Sequence, residues 1–231
     1  MPRRGPLHWV DGQGWLVLLG GGSLQRGETD VVDSYVLSVA NLDRPLAVLW
    51  GGGSQEEAEA VVEHYTALGG PGGESLVLDG TPCHAPDFLS LLAEAGILYL
   101  GGGNPLLLTR SLQNTPVLKQ IVKGFATLQS LLIVGAGGGA AALGAWVNDP
   151  TALGSSSPGL NFLRSALVAP HFTCSEEAAA LRDLLQAYPG FVGLGIPDGT
   201  ALALGPRGQV ETWGKGEVTA VVRQSGSRVV G

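Results

Sequence analysis

The sequence predicts an α/β fold built on a mostly parallel central sheet. Three observations carry that prediction: four short apolar runs recur along the chain, each ends in a cluster of glycines, and helical spacing fills the segments between them. A strand buried on both faces of a parallel sheet reads as a continuous apolar run rather than an alternating one.

Taken in order, Trp15–Leu19 precedes Gly20-Gly21-Gly22, and Leu46–Trp50 precedes Gly51-Gly52-Gly53. Ile97–Leu100 precedes Gly101-Gly102-Gly103, and Leu131–Val134 runs into Gly135-Ala136-Gly137-Gly138-Gly139. Gln55–Leu68 is predicted as a helix, with Ala58, Val61, Val62, Tyr65 and Leu68 at helical spacing, Ser54 as N-cap and Gly69-Gly70 as the stop. Pro86–Ala95 and Leu106–Phe125 are weaker helices of the same kind. Repeated strand–helix units give parallel strands joined by right-handed crossovers. No composition shift marks a linker, so residues 1–231 are expected to form a single domain.

Composition narrows the class. Glycine makes up 37 of 231 residues, where about 7% is usual, yet 45% of the chain is hydrophobic and the glycines have no three-residue period. That excludes both a flexible linker and collagen. Charged residues are only 14% against a usual ~25%, which fits a surface partly covered in a homo-oligomer.

The net charge is −7, and Lys119, Lys123 and Lys215 are the only lysines. Nucleic-acid binding needs a positive footprint and is therefore not expected. Cys83 and Cys174 are too few for a disulfide scaffold or a cysteine zinc site, and His8, His64 and His84 have no partner at ligand spacing. Neither a metal nor a cofactor is expected.

The opening residues show no apolar segment followed by a small-residue cleavage site, so a cytoplasmic protein is expected. Gly124–Val147 is uncharged and long enough to span a membrane. Its glycine content reads instead as strand, turn and small-residue helix, and no membrane segment is expected.

In open α/β sheets, ligands bind beyond the carboxyl ends of the strands. All four glycine clusters fall at such ends, where a backbone without side chains can approach a ligand. One glycine turn would be only a turn; four at equivalent strand ends predict a site.

The segment from Leu131 to Gly144 reads as strand, sharp turn and helix. Hydrolases with a nucleophile elbow place Gly-x-Ser-x-Gly at such a turn. Here the frame is Gly135-Ala136-Gly137-Gly138-Gly139, so glycine occupies the nucleophile position. An elbow requires Gly137 to take a conformation awkward for other residues.

These motifs resemble those of the dipeptidase E and cyanophycinase family of serine peptidases. Leu16–Gly22 resembles the opening strand and loop of that family, and Leu100-Gly101-Gly102-Gly103-Asn104 its oxyanion loop. Gly135–Ala140 stands where the family has Gly-x-Ser-Ala-Gly-Ala, and Ala169-Pro170-His171-Phe172 where many members have Asp-Gln-His-Phe. Gly195-Ile196-Pro197-Asp198-Gly199-Thr200-Ala201 resembles Gly-Ile-Asp-Glu-x-Thr-Ala. The order of the five motifs matches the family's and spans nearly the whole chain. The resemblance implies a three-layer sandwich like that of class I glutamine amidotransferases, which is flavodoxin-like.

It also implies roles. His171 corresponds to the general base and Asp198 to its acidic companion. Gly102, Gly103 and Gly138 correspond to oxyanion donors, and Asn104 ends the substrate-binding loop. The departures are equally specific: Gly137 replaces the serine, Ala169 and Pro170 replace two polar residues, and Pro197 replaces an aspartate. Ser175, Glu176 and Glu177 stand where cyanophycinase-like members carry arginines. Loss of a triad serine costs about 10⁶ in turnover. The expected function is an inactive pseudo-peptidase with a crevice for a small peptide or carboxylate.

Two alternatives stand beside it. A peptide hydrolase with a non-standard nucleophile would draw on Thr173, Cys174 or the Ser155-Ser156-Ser157 loop. A nucleotide-binding protein would use Gly135-x-Gly137-x-x-Ala140, which matches the dinucleotide fingerprint but lacks an acidic residue ~20 positions on. The five tryptophans read as core or interface fillers.

Overall fold

The structure, a computed structural model, describes residues 7–127, 131–148, 156–173 and 175–222. In chain order its first half runs β1 (Leu16–Leu19), α1 (Asp30–Val39), β2 (Leu46–Gly51), α2 (Gln55–Ala67), β3 (Gly73–Leu78), α3 (Pro86–Glu94), β4 (Ile97–Gly101), α4 (Pro105–Leu112) and α5 (Pro116–Ala126). The second half runs β5 (Leu132–Ala136), α6 (Gly138–Ala142), β6 (Trp146–Asn148), β7 (Ser156–Pro158), β8 (Ala166–Pro170), α7 (Ser175–Leu185), β9 (Val192–Ile196), β10 (Thr200–Leu204), β11 (Val210–Gly214) and β12 (Thr219–Val222).

Seven strands form the central sheet in the order β11-β10-β1-β5-β4-β2-β3. From β1 to β3 every pairing is parallel, while β10 and β11 extend the sheet antiparallel from β1. The predicted α/β class is thus observed, and the four apolar runs are adjacent strands of one sheet. Alternation along each strand divides the core between the two faces. Leu16 and Leu18 pack with Leu98, Leu100, Ile133 and Phe125 on one side. Val17 and Leu19 pack with Val48, Val134, Val36 and Tyr65 on the other. Helices cover both faces, giving the three-layer arrangement.

Gln55–Ala67 is helical as predicted, and Ser54 makes a capping box with Glu57. The single helix predicted over Leu106–Phe125 is instead two helices. Asn114 takes a left-handed conformation (φ 61°) between them, and Pro116 cannot supply an N–H to continue the first. Thr115 caps the second helix by accepting from Leu118 N–H.

Helices α1 and α2 are joined by a buried carboxylate. Asp33, with no solvent exposure, lies 2.8 Å from His64 Nε2 and accepts a 2.8 Å bond from the Tyr65 hydroxyl. The hydrogen bond to Asp33 raises the His64 pKa above its ordinary value against the opposing effect of burial. Burial, followed by the nearby Asp33 charge, pushes the Tyr65 phenol well up. Among the described residues no helix is long and apolar enough to cross a membrane, and the described residues of Gly124–Val147 fall in α5, β5, α6, β6 and the turns beside them.

Candidate active site

Gly137 is the single residue between β5 and α6. Its backbone (φ 53°, ψ −116°) takes the sharp turn of an elbow, in a region that costs other residues roughly 1–3 kcal/mol. The turn is anchored because Gly137 N–H donates to Leu19 O at 3.0 Å. A Cβ at Gly137 would lie 3.3 Å from His171 Nε2.

His171 and Asp198 come from a second sheet, in which β9 lies between β8 and β12. Strands β8 and β9 are parallel, with Pro170 opposite Ile196, so the residues that follow each strand emerge side by side. His171 also takes a left-handed conformation (φ 55°). Its N–H donates to Gly20 O at 2.9 Å, and Phe172 N–H donates to Ile196 O at 3.1 Å. These bonds hold the turn that directs the imidazole toward Asp198, where Nδ1 and Oδ1 are 2.7 Å apart.

The β1 loop passes between these elements. Gly20 N–H donates to Thr200 O and Gly199 N–H to Gly21 O. A Cβ at Gly21 would collide with the His171 ring and come within 2.7 Å of Asp198 Oδ1. Gly21 is therefore the residue over which the pair can close.

On the other side of the elbow, Gly102 (φ 99°) packs directly on β2, where a Cβ would meet Gly51 N at 2.6 Å. Gly138 opens α6, so its N–H is among the first-turn donors that have no intrahelical acceptor. Gly102, Gly103, Gly137, Gly138 and His171 all line one cleft of about 540 Å³ at the carboxyl ends of β1, β4 and β5. The β2 glycines lie behind it: Gly51 supports Gly102, and Trp50 alone from that strand end reaches the cleft.

Asn104 is not among the residues that line the cleft. Its Oδ1 accepts from Leu106 N–H at 3.0 Å and caps α4. Ala169 and Pro170 line the wall near His171 without contributing a polar side chain. Ser156, in the short β6–β7 pair, is hydrogen-bonded to Tyr188 and lies outside the cleft lining, as do Ser157 and Thr173. Ser155 and Cys174 fall outside the described residues.

The sequence reading missed the aromatic wall. Trp50, Tyr99 and Trp146 line the cleft, although Trp15 and Trp213 do pack together in the interior with ring centroids 5.2 Å apart. The position of Trp50, immediately before a strand-end glycine cluster, was the available signal. Among the described residues no group of histidine, cysteine, aspartate or glutamate side chains could hold a metal ion.

An elbow after a parallel strand, a His–Asp pair facing it and glycine loops beside it define a serine-peptidase type of architecture. The chain belongs to peptidase family S51, whose sequence model matches residues 16–208. It is 29% identical over 154 residues to a cyanophycinase of Synechococcus elongatus, covering 63% of this chain and 48% of that protein. It is 26% identical over 147 residues to a cyanophycinase of Trichormus variabilis, covering 60% and 49%. The chain thus spans about half the length of these curated relatives.

In fold it is similar to a peptidase from an acI-B1 Actinobacterium, with a TM-score of 0.58, 24% identity and 91% of both chains covered. It is also similar to a putative peptidase E protein of Listeria monocytogenes, with a TM-score of 0.63, 19% identity and 88% and 99% of the two chains covered.

Proposed function

We propose that this chain is a pseudo-peptidase of family S51: it binds a small peptide or carboxylate at the strand ends and does not cleave it. One observation carries the reading. The elbow position facing His171 Nε2 is Gly137, which has no atom able to attack a carbonyl. In this reading His171 occupies the general-base position, Asp198 orients it, and the N–H groups of Gly102, Gly103 and Gly138 face the ligand's carbonyl or carboxylate oxygen. Asn104 acts through the loop it ends, by capping α4.

The magnitude supports binding over slow catalysis. An elbow without its hydroxyl forfeits about 10⁶ in turnover, leaving only what the oxyanion donors and binding provide. The apolar Ala169 and Pro170 remove further means of holding a polar substrate in register. We read residues 1–231 as a single peptidase-like domain, in keeping with the family match over 16–208.

Incubation of the purified protein with Asp-X dipeptides and with an aspartyl-arginine polymer tests the proposal. No product above a mock preparation is expected. Clear turnover, or a covalent acyl adduct trapped on any residue, would overturn it.

A further inference from the structure

The cleft beside Gly137 has a chemical character that the glycine loops alone do not explain. Trp50, Tyr99 and Trp146 contribute aromatic surface, and Leu24, Leu167 and Leu181 contribute aliphatic surface. None of the described residues that line it is an aspartate, glutamate, lysine or arginine; their polar side-chain groups are those of Asn148 and His171, the Tyr99 phenol and the indole N–H groups of Trp50 and Trp146. Its volume of about 540 Å³ lies in the range of roughly 300–1,000 Å³ typical of small-molecule sites.

Trp50 and Tyr99 are fixed in place in this wall. Glu57 Oε2 accepts from Trp50 Nε1 at 3.2 Å while also accepting from Ser54 N–H at 3.2 Å, so the indole is tethered to the capping box of α2. The six-membered ring of Trp50 lies against Gly101, where any Cβ would collide with it and would also come within 2.9 Å of the Tyr99 ring. Gly101 is thus the close approach that lets the Trp50 and Tyr99 rings both lie against the loop leading into Gly102. Tyr99 is buried, and burial pushes its phenol pKa up, so this part of the wall stays uncharged.

We propose that the cleft selects a peptide whose side chain is aromatic or large and apolar, and discriminates against an acidic one. The inference rests on the binding reading given above and deepens it. A carboxylate side chain moved from water onto this wall would lose hydration without gaining a lysine or arginine partner from the described lining, which is unfavourable. An aromatic side chain would bury apolar area against rings already held in position, losing little conformational freedom of the wall itself.

Isothermal titration calorimetry with two blocked dipeptide amides, acetyl-Phe-Ala-amide and acetyl-Asp-Ala-amide, tests this selection on the full chain. The phenylalanyl peptide is expected to bind at least tenfold more tightly, a difference of about 1.4 kcal/mol. Trp50→Ala should remove most of that preference. Leu24→Arg, which brings a cation to the cleft, should shift it toward the aspartyl peptide; circular dichroism confirms that each variant is folded.

Equal or tighter binding of the aspartyl peptide to the parent protein overturns the selection while leaving the binding crevice in place. An unaltered preference in both folded variants also overturns it, because the aromatic wall would not be the discriminating surface. Binding of neither peptide at millimolar concentration removes the peptide crevice itself, and the selection with it.

Discussion

His171 Nδ1 lies 2.7 Å from Asp198 Oδ1, while the opposite nitrogen of the same ring faces Gly137. The pair is more than half exposed, with side-chain exposures of 60% and 51%. At such exposure an ion pair stabilises by only about 0–1 kcal/mol. Its structural consequence is orientation: Asp198 fixes which nitrogen is turned toward the elbow.

Gly137→Ser therefore supplies an oxygen on the side of His171 Nε2. The serine must adopt φ 53° and ψ −116°, a conformation costing roughly 1–3 kcal/mol. For a chain of this size each kcal/mol lowers Tm by roughly 2–4 °C. Thermal melts should show that loss. Hydrolysis of Asp-X dipeptides should rise little, because Ala169, Pro170 and a described lining without lysine or arginine remain. A large gain in turnover would show that the missing serine was the sole obstacle.

Gly21→Ala tests the closure of the pair over the β1 loop. Its Cβ would occupy space now held by the His171 ring and approach Asp198, and Gly21 has φ 133°. Either the imidazole moves or the loop does, and both weaken the bonds from Gly199 N–H to Gly21 O and from His171 N–H to Gly20 O. The expected result is a melting temperature lowered by several degrees and displaced His171 ring-proton resonances in NMR. Unchanged resonances would mean that the pair tolerates a side chain beneath it.

Much of this arrangement was legible in the sequence, and the parts that were not have physical reasons. The four parallel strands were readable because burial on both faces demands continuous apolar runs, and the elbow because an apolar run, a glycine cluster able to turn sharply and a small-residue helix follow one another directly from Leu131 to Gly144. His171 and Asp198 were readable through the order of motifs. Their placement in a separate three-stranded sheet was not, because strand pairing is a long-range choice that the local apolar run of β8 or β9 does not encode. The break at Asn114 was hidden because apolar spacing continues across it from Leu112 to Val117. His64 looked unremarkable because its partner Asp33 is 31 residues away on another helix. Trp50 looked like core filler because its strand is core up to the preceding residue.

The α1–α2 connection should make stability depend on pH. His64 faces Asp33 at 2.8 Å and Asp30 at 3.9 Å, with Tyr65 on the other oxygen of Asp33. Its pKa is raised in the folded protein, so folding favours the protonated form. The resulting stabilisation is complete below the unfolded value of about 6.5 and is lost as pH rises through the higher folded value. Tm measured from pH 6 to pH 9 should fall across that window in the parent protein. His64→Gln, which keeps a hydrogen-bond donor but cannot titrate, should flatten this part of the curve. A parent profile already flat there would show that the ion pair contributes nothing measurable.

The last prediction concerns Glu57, which links helix capping to the cleft wall. Ser54→Ala removes the side-chain acceptor for Glu57 N–H and should cost about 0.5–2 kcal/mol, the usual range for a lost N-cap. Glu57→Ala removes the other half of the capping box and also the acceptor for Trp50 Nε1. The two variants should therefore lower Tm comparably yet differ in the environment of one tryptophan. Acrylamide quenching should show greater accessibility in Glu57→Ala than in Ser54→Ala, with Trp50→Phe abolishing the difference. If Ser54→Ala exposes the indole equally, the capping box as a whole positions Trp50, and the Glu57 hydrogen bond has no separate part in building the wall.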